Sequence, residues 1–171
     1  QNVFTLDAVG GGSLYNQANK AADYFKVVTR KKDDLAALLY SSGTTGVPKG
    51  IMLTHSNLLR NTQALVEAWG FSSNDRLLHA LPIFHVHGLF VAIGCILLSG
   101  ASMRWLRTYN VKDVIRYLPE STVMMGVPTS YSRLLDYEAF NRSACENVRL
   151  FISGSAPLLP QTWDAFQMQT G

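Results

Sequence analysis

Tyr40-Ser41-Ser42-Gly43-Thr44-Thr45-Gly46-Val47-Pro48-Lys49-Gly50 sets four hydroxyl side chains, three glycines and one lysine directly behind the apolar run Leu35-Ala36-Ala37-Leu38-Leu39-Tyr40. The run has the length and boundaries of a buried strand, so a strand delivers a polar loop. Glycines let backbone N–H groups turn toward an anion at little steric cost, hydroxyls add donors, and Lys49 adds a mobile positive charge suited to a polyphosphate. Pro48 stiffens the approach to that lysine. An ordinary Ser/Thr/Gly connection between two strands has a similar composition. The donor density and the placed lysine favour the anion site. The Walker A pattern is a poor match: Gly46 does not directly precede Lys49, and Gly50 stands where a magnesium-binding Ser or Thr is required.

Outward from this loop the chain alternates strand and helix. Gly50 to Leu53 reads as a return strand. Thr54 or Ser56 caps a helix running to about Trp69, with Leu58, Leu59, Ala64, Leu65 and Ala68 as its apolar face and Gly70 as its stop. Arg76 to Leu81 is a core strand ended by Pro82, Gly88 to Leu98 an apolar helix, and Ser102 to Leu106 a strand. Val111 to Leu118 is a helix closed by Pro119, and Thr122 to Val127 a buried strand. A helix follows with Pro128 in its first turn. Asp136 to Asn147 reads as an exposed polar link, Val148 to Ile152 as a strand, and Pro160 to Gln169 as a last helix. Upstream, Val3 to Asp7 reads as a strand and Leu14 to Ala22 as a short helix. This order predicts an α/β fold: a mostly parallel sheet with helices on both faces, built from right-handed crossovers.

Three further segments sit where strands end, the usual place for ligands in open α/β sheets. Leu81-Pro82-Ile83-Phe84-His85-Val86-His87-Gly88 brings an aromatic and two histidines together, although a histidine there can simply satisfy backbone groups at a helix start. In Gly126-Val127-Pro128-Thr129-Ser130-Tyr131-Ser132-Arg133-Leu134-Leu135, Thr129 and Arg133 share one helical face. Taken alone, Arg133 reads as an exposed helix residue. Ser153-Gly154-Ser155-Ala156-Pro157-Leu158 reads as a strand-to-helix turn.

A chain of 171 residues, 47% of them hydrophobic, has enough apolar material for one sizeable core. Its formal charge of +3 is spread without a long basic run, so nucleic acid is not indicated. Cys95 and Cys145 form no zinc pattern and are expected to be reduced thiols in a cytoplasmic protein. No signal peptide is expected from the pattern of the opening residues. The longest apolar run, Gly88 to Ser99, is too short to span a bilayer.

The loop, with the following Ile51-Met52-Leu53-Thr54-His55-Ser56-Asn57-Leu58, resembles the signature of the adenylate-forming superfamily. The resemblance implies ATP-dependent carboxylate activation followed by thioester formation with CoA. It implies that Ser41, Ser42, Gly43, Thr44, Thr45, Gly46 and Lys49 hold the β- and γ-phosphates, with Mg2+ at Thr44. It further implies that His85 lies beside the ATP and carboxylate pocket and acts with Lys49 in catalysis, and that Gly154, Ser155, Ala156 and Pro157 pack against adenine. The segments around 81–89, 126–135 and 151–158 look most like malonyl-CoA synthetases, which gives Thr129 and Arg133 an expected place in the acyl pocket, with Arg133 on the distal carboxylate. An acyl-CoA synthetase for a monocarboxylic or fatty acid and a non-catalytic nucleotide-binding module are the alternatives. The resemblance covers part of an N-terminal AMP-binding domain, without the C-terminal lid of such enzymes. The isolated chain is therefore expected not to complete the reaction.

Overall fold

The computed structural model describes residues 3–41 and 48–171, and the chain forms two compact units, one up to Lys31 and one from Lys32 onward. In the first unit, α1 spans Ser13–Ala18. The expected strand over Val3 to Asp7 does not form, because its polar groups are engaged locally. The Thr5 amide donates to Ser13 Oγ at 2.9 Å, Thr5 O accepts from the Leu14 amide, and Asp7 Oδ1 accepts from the amides of Val9 and Gly11. A ladder has nothing left to pair with.

In the second unit, β1 (Leu35–Ser41) and β2 (Lys49–Thr54) form an antiparallel ribbon in which Ser41 pairs with Lys49. The strand is where the sequence places it, but it is not buried: Leu35, Leu38 and Tyr40 are exposed, since none of the four parallel strands pairs with it. Thr54 then caps α2 (His55–Trp69) through a capping box with Asn57, and Gly70 closes it in a left-handed conformation. The inward face of α2 is Leu58, Thr62, Leu65, Val66 and Trp69; Leu59, Ala64 and Ala68 are exposed.

The remaining strands, β3 (Arg76–His79), β4 (Ser102–Trp105), β5 (Val123–Gly126) and β6 (Leu150–Ser153), form one parallel sheet in the order β4-β3-β5-β6. Alternation decides what each face buries. Leu77, Val123, Met125 and Ile152 pack with Leu65, Val66 and Trp69 of α2 and with Ala92, Cys95 and Ile96. Leu78, Met124 and Phe151 face the opposite way, toward α4 (Val111–Tyr117), α5 (Pro128–Leu135) and α6 (Pro160–Thr170). Helices cover both faces, as the alternation predicts. The polar stretch 136–147 is irregular and exposed along most of its length, as its composition predicts, but Phe140 is fully buried in this second core within a ring cluster of Phe151, Phe166 and Tyr131 and anchors it. The Tyr131 hydroxyl donates to Ile152 O at 2.6 Å and ties α5 to β6.

The apolar helix after Pro82 begins as a wide π-helical turn, His87–Ala92, before continuing as α3 (Ile93–Ser99). Gly88 opens it against the backbone: a Cβ there would collide with the Pro82 carbonyl oxygen and lie 2.9 Å from Pro82 C. Gly88→Ala is expected to destabilise the protein by about 2–3 kcal/mol, read as a lower denaturant midpoint at unchanged slope.

Candidate functional site

In the order β4-β3-β5-β6 the chain leaves β3 in one direction and returns for β5 in the other, so the crevice beyond the carboxyl ends of β3 and β5 is a topological switch point. A cavity of ≈ 660 Å³ opens there. All four strands feed it. The segment after β3 supplies His85 and His87, the end of β4 and the segment after it supply Trp105, Arg107 and Tyr109, that after β5 supplies Thr129 and Arg133, and that after β6 supplies Ser155. Two arginines line the cavity and, among the described residues, no Asp or Glu does. The cavity therefore presents positive charge on an apolar and aromatic wall, an arrangement that receives an anion.

Pro128, at the first position of α5, sets the direction in which Thr129 and Arg133 project. Among the described residues Arg133 forms no ion pair; its guanidinium sits 5.1 Å from the Tyr109 ring centroid. The Tyr109 hydroxyl donates to Ser130 O at 2.6 Å. Burial pushes the Tyr109 phenol up to about 12 against the pull of the Arg133 charge, so it stays a neutral hydrogen-bond donor.

His85 is exposed at the cavity wall, where its amide donates to Pro82 O and its carbonyl accepts from the Leu89 amide. His87 begins the π-helical turn, as the sequence reading allows, and its Nδ1 lies 3.1 Å from Ser155 Oγ. Burial, then the His85 charge, holds its pKa below the ordinary histidine value of 6.5. Beneath, His79 is fully buried, edge-on to Trp105 at 4.8 Å, with neither ring nitrogen hydrogen-bonded among the described residues. Burial and the His87 charge lower its pKa too, so this histidine is neutral at pH 7.

Of the residues singled out in the sequence, His85, Thr129, Arg133 and Ser155 thus share one cavity. Gly154 and Ser155 also line a second cavity of ≈ 350 Å³ on the α2 side, together with His85, His87, Val91 and Ser153. Ala156 and Pro157 are exposed and line neither. Ser41 and Lys49 face one another across the end of the β1–β2 ribbon, and Lys49 is exposed. Ser42, Gly43, Thr44, Thr45 and Gly46 lie outside the described residues. Trp105, Arg107, Thr108 and Tyr109 complete the cavity without any motif in the sequence; the signal for them is their place at the end of a parallel strand. Among the described residues no three His, Cys, Asp or Glu side chains converge as a metal site, so no protein cage for magnesium is built from them.

The profile of the AMP-binding enzyme family matches residues 3–171. A mitochondrial malonate–CoA ligase of Mus musculus is 39% identical over 156 residues, covering 82% of this chain and 27% of that protein. A malonate–CoA ligase of Arabidopsis thaliana is 36% identical over 169 residues, covering 87% and 28%. Among solved structures, ATP-bound MatB from Rhodopseudomonas palustris superimposes with a TM-score of 0.92 at 46% identity, over 99% of this chain and 34% of that one. A malonyl-CoA ligase with methylmalonyl-CoA and AMP bound gives 0.77 at 35% identity, over 82% and 32%. The chain spans about a quarter of the length of the curated relatives it matches. A family profile that runs through both the ribbon and the four-stranded sheet leaves one assignment: the chain belongs to the AMP-binding enzyme family.

Proposed function

We propose that the full-length protein is an ATP-dependent acyl-CoA synthetase that activates malonate. The observation that carries this reading is the shared lining of one cationic cavity by His85, Thr129 and Arg133 at the carboxyl edge of the sheet, in a chain similar to malonate–CoA ligases. In the first half-reaction a carboxylate oxygen of malonate attacks the α-phosphorus of ATP, and the bond to the β,γ-pyrophosphate breaks. In the second, a CoA thiol attacks the acyl carbon, the bond to AMP breaks and the thiol proton is released.

Carboxylate and triphosphate repel one another, so the protein's contribution is positional and electrostatic. Lys49 and the hydroxyls and amides of residues 41–46 are assigned to the β- and γ-phosphates. Gly154 to Pro157 are assigned to adenine, and His85 to the boundary between nucleotide and acid. Arg133 receives the second carboxylate, with Thr129 one turn earlier on the same face. Thr44 is assigned to the Mg2+ that accompanies ATP. The segments 40–50, 81–88, 126–135 and 153–158 then act as phosphate loop, gate, acyl-pocket wall and adenine turn of a partial N-terminal domain. Both cysteines are free and buried, which suits a reducing compartment such as the cytoplasm. No helix among the described residues is long and apolar enough to cross a membrane.

The test is a panel of acids given to the full-length gene product with ATP and CoA. Formation of malonyl-CoA and AMP, in preference to acetyl-CoA or a fatty acyl-CoA, is the expected result. Preference for a monocarboxylic acid replaces malonate in the reading; ATP binding without turnover on any acid replaces the enzyme by a nucleotide-binding module.

A further inference from the structure

Ser155 is the one non-glycine residue with a positive φ, 68°, among the described residues. A left-handed backbone costs a serine about 1–2 kcal/mol that a glycine would avoid. Its hydroxyl, however, is held across 68 residues of sequence by His87 Nδ1 at 3.1 Å. The preceding residue is fitted to the same ring: a Cβ on Gly154 would lie 3.0 Å from His87 Cε1. The Gly154 amide donates to Gly126 O at 3.1 Å, so the turn is anchored to β5 on one side and to the imidazole on the other.

From these contacts we propose that His87 is a positioning residue whose hydrogen bond holds Ser155 in its left-handed conformation and so locks the 153–158 turn to the 81–88 segment. The groups that face His87 favour a neutral ring in this role. Burial, then His85 on its own segment, disfavours a positive charge on the ring, and the turn after β6 offers a hydroxyl. The turn is the one assigned above to adenine, so the consequence for nucleotide binding rests on that reading, whereas the latch itself does not.

The experiment compares wild type, H87N, H87Q, S155G and H87Q/S155G in the full-length protein by amide hydrogen exchange without ligand and by ATP titration. Asn places its amide nitrogen where imidazole Nδ1 sits, and Gln extends one bond further, so H87N is the rescue and H87Q the break. H87Q is expected to speed exchange at Gly154 and Ser155 by about tenfold. H87N is expected to stay within about twofold of wild type, and H87Q to have no further effect in the S155G background. ATP affinity is expected to fall about tenfold in H87Q and to recover in H87N. Exchange in H87Q equal to wild type, or an equal H87Q effect with and without the Ser155 hydroxyl, overturns the latch. If wild type shows the exchange pattern but binds no ATP, the latch stands and the nucleotide assignment falls.

Discussion

Arg133→Ala in the full-length gene product is expected to lower kcat/KM for malonate by about 30–100-fold while the KM for ATP stays within about twofold. The size follows from the contact. A charge-assisted bond from guanidinium to carboxylate contributes about 2–3 kcal/mol, and 1.36 kcal/mol is a factor of ten. The selectivity follows from position, since Arg133 lies on α5 and not on the β1–β2 ribbon or the 153–158 turn. Arg133→Lys keeps the charge but loses the planar fork, and an intermediate loss is expected. Steady-state kinetics with malonate and with propionate, which lacks the second carboxylate, separate the two substrates. Equal malonate kinetics in wild type and Arg133→Ala remove the assignment.

Asp75→Ala is expected to lower stability by about 3 kcal/mol, the cost of leaving a buried network without its anion. Asp75 is only 4% exposed at the amino end of the sheet. Its carboxylate accepts from Arg149 Nε at 2.8 Å, from a second Arg149 nitrogen at 2.9 Å, from Thr122 Oγ1 at 2.8 Å and from the Ser72 amide at 2.8 Å. Arg149 in turn donates to Trp69 O and Gly70 O, so one ion pair joins the end of α2 to β3, β5 and β6. The Arg149 hydrogen bonds hold the Asp75 carboxyl well below its ordinary value of 3.8, with burial opposing them. A depressed carboxylate stabilises the fold above its unfolded pKa and loses that contribution as pH falls through the folded one. Wild-type stability is therefore expected to decline below about pH 4. Asp75→Asn is expected to be less stable at neutral pH and flatter in acid. Urea midpoints at pH 7 and pH 3 measure both; an unchanged midpoint in Asp75→Ala at pH 7 contradicts the network.

The features legible in the sequence were those set by neighbouring residues. Thr54, one of the two caps open in the sequence, marked the start of α2 and Gly70 its end, Pro128 opened α5, and alternation of short apolar runs with helical stretches gave the parallel sheet. Features made by distant residues were not legible. Phe140 sits in a polar stretch and is buried only because Phe151 and Phe166 come to it from β6 and α6. Leu35 to Tyr40 reads as apolar enough for a core but lies on a ribbon outside the main sheet. The site divides the same way. His85, Thr129, Arg133 and the 153–158 turn stood out in sequence, whereas Trp105, Arg107 and Tyr109 join them only through the pairing of β4 with β3. His79 carries no motif either; its significance lies in burial without a hydrogen-bond partner among the described residues.

In the proposed function the cavity at the carboxyl edge takes the dicarboxylic acid, with Arg133 on its far end. A crystal structure of the full-length protein with malonate and a non-hydrolysable ATP analogue tests it most directly. The distal carboxylate is expected within about 3 Å of the Arg133 guanidinium, between α5 and the segment carrying His85. Malonate seated instead in the smaller cavity lined by Val91, His87 and Ser153, with Arg133 turned to solvent, would contradict it.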